Sequence, residues 1–230
     1  MHIPDGYLSP QTYVPLYVAA VAAVAVSVRK VKKQLSARLI PFLGMSAAFS
    51  FLIMMFNIPV PGGTTGHAVG AALIALLFGP WMAGISVTVA LIIQAFIFGD
   101  GGITALGANC INMAFIMPLA AYYIFKLVRG GSENPHRIYL AAFLAGYISL
   151  CLAAMATATE IGIQPLIART NEGLPLFSPY SLKVAIPAMA IEHFTIFGIV
   201  EGLITALLFR YFFRNNRDLI VTLSSGDEET

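Results

Sequence analysis

From Ile138 to Thr159 the chain carries no charged side chain. A run of that length leaves its backbone few partners but itself, and in hydrocarbon the self-contained solution is a helix. Comparable apolar runs recur at about 14–28, 39–56, 68–78, 81–98, 103–128 and 184–209. With 58% hydrophobic and 10% charged residues, against about 25% charged in an ordinary soluble domain, the chain reads as an all-α integral membrane protein. The expectation is one transmembrane domain over residues 1–230, its acidic tail 218–230 disordered. Cys110 and Cys151 lie inside apolar runs and read as small buried hydrophobes.

The third run is short. Residues 68–78 would rise only about 16 Å as helix at ~1.5 Å per residue. It is therefore either half-spanning or continues past Gly79-Pro80. The segment before it, Asn57 to His67, holds prolines and glycines that forbid continuous helix.

Basic residues set the sidedness. Arg29, Lys30, Lys32, Lys33 and Arg38 follow the first run; Lys126, Arg129 and Arg137 separate the fifth and sixth; Arg210, Arg214 and Arg217 follow the seventh. With seven crossings these eleven of the thirteen Lys and Arg share one side, opposite Arg169 and Lys183. The positive-inside rule then puts the N-terminus outside and the C-terminus in the cytoplasm. Six crossings would scatter the same charges. The N-terminus, the 57–67 loop, the Gly99-Asp100 turn and the 164–183 loop consequently share the outer face. No basic face suggests nucleic acid.

That co-location bears on the first residues, Met1-His2-Ile3-Pro4-Asp5-Gly6. A free α-amine followed by histidine is a chelate: amine and His2 amide nitrogen close a five-membered ring on a metal, amide nitrogen and Nδ1 a six-membered one. A fourth nitrogen completes the square plane favoured by Ni(II) and Cu(II). His67, in a glycine-rich loop ahead of the third run, is the candidate. Histidine is too large a second residue for initiator-methionine removal, so Met1 should stay. The start has no basic n-region and no apolar run before residue 14, unlike a secretory signal. The competing reading is a disordered N-terminus.

MHIPDG at the start, GGTTGH before the third run and QAFIFGDGGITALGAN over residues 94–109 resemble the CbiM/NikM family, the cobalt- and nickel-binding S-components of energy-coupling-factor (ECF) importers. The resemblance implies a six-helix S-component core plus an extra N-terminal helix. It also implies a metal held by Met1, His2 and His67, with Ni(II) or Co(II) as the bound substrate and no organic cofactor. The implied partners are a transmembrane coupling subunit, two ATPase subunits and a small accessory membrane subunit, in the inner membrane of a prokaryote. No G-x-x-x-x-G-K-[ST] phosphate loop occurs here, which agrees with ATP being hydrolysed elsewhere.

Other polar residues have bland readings beside functional ones. Asp5 either orients a ligand or makes an Asx turn. Gln94, Asn109 and Asn112 either orient His67 and its loop or bond helix to helix. Asp100 reads as a turn residue. Glu192-His193 lies in an apolar helix, where ionisable groups are functional suspects. Its depth argues for a pair satisfying one another or a neighbouring helix, away from an outer-face site. The expected function is metal capture for import rather than catalysis. The alternatives are an intramembrane metalloenzyme built on Glu192 and His193, and a stand-alone metal channel. The sequence leaves nickel against cobalt open.

Overall fold

The computed structural model describes residues 1–34, 39–60, 64–220 and Leu223. Each apolar run of the sequence is helical. α1 (Pro10–Gln34) leads to α2 (Ile40–Met54), and a small antiparallel hairpin follows, β1 (Ile58–Val60) on β2 (Thr64–Gly66), with Ile58 opposite Gly66. The prolines and glycines of this loop do stop the helix, but its pairing into a hairpin left no alternation in the sequence to detect. Arg38, Gly62 and Gly63, used in the charge and loop arguments, lie outside the described residues.

α3 (Ala71–Phe78) is the half-length alternative, because Pro80 starts a separate helix, α4 (Pro80–Ile93). α3 is the axis of the core, buried from Ala71 through Leu77 and packed against α4 and, further on, α6 (Met117–Arg129), α7 (Pro135–Gly162) and α10 (Gly198–Asn215). A short helix surrounded on all sides has no polar face, which is why its sequence, AALIALLF, is apolar throughout.

Three longer helices contain a wide turn of π geometry. Gln94–Phe98 extends α4; Cys110–Ile116 joins α5 (Leu106–Asn109) to α6; His193–Phe197 joins α9 (Leu182–Glu192) to α10. Pro118 gives a local reason for the second. Its ring lacks an N–H and crowds the carbonyl four residues back, and a widened turn relieves both. α7 continues as α8 (Gln164–Ile167), and starts where the Asn134 side chain accepts the His136 N–H at 3.0 Å. Gly202 and Gly198 let α10 approach Phe143 and Tyr147 of α7 closely, as their four-residue spacing suggests.

Among the described residues five spans are long and apolar enough to cross a bilayer: Pro10–Lys32, Pro80–Phe98, Leu106–Arg129, Pro135–Ile167 and Leu182–Asn215, with Ile40–Met54 a shorter apolar helix. The chain is a multi-pass, mostly helical membrane protein. α1 lies at the periphery, Val14, Val18 and Val21 bare to the lipid side. A 3₁₀ turn, Arg217–Leu219, follows α10 and leads to Ile220, which is buried. Residues 224–230, expected to be disordered, lie outside the described residues.

Candidate metal centre

The first nine residues run into one end of the bundle rather than away from it. The Ile3 N–H donates to Asn109 Oδ1 at 2.9 Å, and the Ile3 carbonyl accepts from Asn109 Nδ2 at 3.2 Å and from the Gly102 N–H at 2.8 Å. Two residues on, the Asp5 carboxylate accepts from the Ile103 and Thr104 N–H groups at 3.1 and 2.7 Å and from the Thr104 hydroxyl at 2.5 Å. A Cβ on Gly102 would stand 2.4 Å from the Asp5 nitrogen, so only glycine lets the two backbones lie this close. Ser9 N–H is taken by Gln164 Oε1 at 2.9 Å, and the Tyr7 carbonyl by the Ser178 N–H at 3.1 Å. The segment is thus tied both to the stretch after the Gly99-Asp100 turn and to the 164–183 loop.

This docking carries Met1, His2 and Ile3 inward until they are at most 3% exposed. The Met1 amine donates to the Thr65 carbonyl of β2 and lies 3.4 Å from the Thr65 hydroxyl. The His2 and His67 rings stack at 4.6 Å, inclined by 28°. Gln94, wholly buried on its π turn, accepts from His2 Nε2 at 3.2 Å, which leaves the lone pair on Nδ1. That Nδ1 is 3.6 Å from Asp100 Oδ1, whose other oxygen accepts from Asn57 Nδ2 at 3.2 Å. His67 donates from Nδ1 to the Ala68 carbonyl at 3.0 Å, while its Nε2 is buried and has no hydrogen-bond partner among the described residues. Each ring therefore turns a basic nitrogen inward and anchors the other, the arrangement a metal-ligating histidine needs.

Burial sets the protonation. Desolvation takes the Met1 amine down to about 4, against the opposing pull of the Asp100 and Glu192 carboxylates. Desolvation and the neighbouring amine take His2 down to about 3, with the Gln94 hydrogen bond working the other way. His67 is held well below the ordinary imidazole range for the same two reasons, with His2 adding to them. The Asp100 carboxyl is pushed up by burial. Asp5 is raised by burial, but its bonds to Thr104 and Ile103 outweigh this and leave it lowered. Near neutral pH the amine and both imidazoles are uncharged, the form in which nitrogen binds metal. Among the described residues no three His, Cys, Asp or Glu side chains gather as a ligand set; what gathers is a terminal amine and two imidazoles.

The residues expected to support the site divide. Gln94 and Asn109 reach the N-terminal segment, Gln94 at His2 rather than His67, and Asp5, within the segment, ties it to Ile103 and Thr104. Asn112 does not reach it: its Nδ2 donates to Glu160 Oε2 at 2.7 Å and Thr157 Oγ1 at 3.1 Å, a helix-to-helix link. Glu192 and His193 are not a mutual pair, since His193 Nδ1 bonds the Met189 carbonyl of its own helix at 2.9 Å. Nor is His193 remote: it lies close enough to the Met1 amine and to His67 to couple electrostatically with each. The N-terminal segment is buried in the bundle, so the candidate site lies deeper than an outer-face position.

Two supports went unread. Glu201, wholly buried on α10, accepts the Val69 N–H at 2.8 Å and the Gly70 N–H at 3.0 Å. An acid inside an apolar helix was the available signal. Phe197 packs on Gly66, where a Cβ would meet the ring at 2.0 Å, and no sequence pattern announces that contact.

Residues 2–219 match the CbiM family, the cobalt uptake substrate-specific transmembrane region. The fused nickel transport protein NikMN of Rhodobacter capsulatus is 48% identical over 221 residues, covering 96% of this chain; the chain spans 64% of that relative's length. A crystal structure of a transition metal transporter superposes with a TM-score of 0.91 at 48% identity, covering 98% of each chain. A truncated transition metal transporter superposes at 0.90 with 50% identity, over 93% of this chain and 99% of that one. With the family matched almost end to end, the chain belongs to CbiM, a family of metal transport proteins and not of enzymes.

Proposed function

We propose that the chain captures Ni(II) or Co(II) at this buried nitrogen site as the substrate-binding subunit of an ATP-driven importer. The observation that carries the reading is the meeting of the buried Met1 amine, His2 and His67, with His67 Nε2 lacking a hydrogen-bond partner among the described residues. Amine, His2 amide nitrogen, His2 Nδ1 and His67 Nε2 make up an all-nitrogen set for a square plane. Because burial already keeps the amine and imidazoles neutral, the amide proton is the one that the metal must displace. The kinship with NikMN, named for nickel transport, supports the substrate class.

The same reading gives the chain seven crossings, with α3 and the extended residues before it as the third. The N-terminus is outside and the C-terminus in the cytoplasm of a prokaryotic inner membrane. The cluster Arg129–Glu133–Arg217, at 2.8 and 2.5 Å, lies on the end opposite the metal site, in keeping with the positive-inside assignment. ATP hydrolysis belongs to partners: a coupling subunit, paired ATPases and a small accessory membrane subunit.

The test is titration of the purified protein with Ni(II) and Co(II), native N-terminus against a form with one residue inserted ahead of Met1. The insertion keeps both histidines but moves the amine. Affinity is expected to fall by about 100-fold or more, past what loss of a supporting residue costs, and the planar Ni(II) absorption band to vanish. Unchanged binding would place the site elsewhere.

A further inference from the structure

We infer that Glu201 is a positioning residue for the metal ligand His67, acting across the bundle through the backbone of residues 68–70; this rests on the proposed role of His67. The geometry is a relay of hydrogen bonds. His67 Nδ1–H is anchored by the Ala68 carbonyl at 3.0 Å, so the direction of Nε2 is fixed by where that peptide lies. The next two N–H groups end on the Glu201 carboxylate, Val69 at 2.8 Å and Gly70 at 3.0 and 3.1 Å to its two oxygens. The Val69 carbonyl is held at 2.9 Å by the Ser50 hydroxyl of α2. Residue 69 is thereby gripped at both polar groups, and the peptide that aims His67 has little freedom.

A carboxylate suits this place. It faces the N-terminus of α3, where N–H groups lack helical partners and the dipole favours negative charge, and charge-assisted bonds are the strong ones. Burying an acid in a membrane bundle is otherwise costly, and a helix start could be capped by a neutral Ser or Asn at less expense. Glu201 sits on α10 just after the His193–Phe197 π turn, whose Phe197 also presses on Gly66 beside His67. α10 thus touches the ligand loop from both sides of His67, and a displacement of α10 would be felt at Nε2.

The experiment is a double-mutant cycle on Ni(II) affinity in the full-length protein: wild type, His67→Ala, Glu201→Gln and the pair. Glutamine keeps the shape but puts an amide donor against backbone donors. Glu201→Gln alone is expected to weaken Ni(II) binding about 10–100-fold, the usual effect of an outer supporting residue. In the His67→Ala background it should change affinity less than about twofold, because the residue through which it acts is gone. A merely structural role would instead reduce affinity equally in both backgrounds, and that additivity, or no effect in either, would overturn the inference. If Glu201→Gln does not fold, Glu201→Asp is read by the same cycle. Should His67→Ala itself leave affinity intact, the metal-site reading fails rather than the relay.

Discussion

The rings of His2 and His67 stack at 4.6 Å although two membrane helices separate them in the chain. Nothing local makes that contact. It depends on Asn109 and Asp5 drawing the N-terminal segment down and on the hairpin and α3 holding His67 opposite. The site is therefore as rigid as its supports, and each support gives a measurement.

Gln94→Leu removes the acceptor that keeps the proton on His2 Nε2. The imidazole would then populate the tautomer with Nδ1 blocked. Ni(II) affinity is expected to fall about 10–100-fold, measured by competition with a chromophoric chelator, with thermal stability little changed because leucine fills the same volume.

Asp5→Ala deletes three acceptor contacts to residues 103 and 104. The N-terminal segment should undock more often. Amide exchange at Ile103 and Thr104 is expected to speed up, and metal affinity to drop about tenfold. Unchanged exchange at those two amides would show that Asp5 does not hold the segment.

Gly66→Ala places a methyl 2.0 Å from a Phe197 ring carbon. Overpacking of this kind costs about 1–3 kcal/mol, so Tm should fall and the His67 loop should shift, weakening metal binding as well. Adding Phe197→Ala to the same protein makes room and should recover part of both losses.

The pH dependence of the metal-free protein follows from its neutral nitrogens. The amine drops from 8.0 in the unfolded chain to about 4 when folded, and His2 from 6.5 to about 3. Between those limits the unfolded chain binds more protons, so stability rises with pH. The loss on acidification begins near pH 8 with the amine and steepens below about 6.5 as the His2 and His67 imidazoles join. Denaturant midpoints taken from pH 4 to 9 without metal should trace that slope; a flat profile would mean the segment is not buried.

Much of this protein is legible in its residues. Apolar runs long enough for a bilayer leave helices as the only spanning structure, and each run coincides with a helix, although α1 extends to Gln34, α10 to Asn215, and α8 forms inside the expected 164–183 loop. Met1-His2 reads as a chelate from covalent structure alone, before any fold is considered. His67 could be nominated from its type and its loop. What the sequence could not supply is depth and direction, because those come from contacts between distant elements. Only the tertiary structure sinks the amine into the bundle, aligns Gln94 with His2 instead of His67, sends Asn112 to Glu160, and sets Glu201 beneath the peptide that aims His67. A hydrogen bond between helices has no period for a sequence to carry; it exists only once packing has chosen which faces meet.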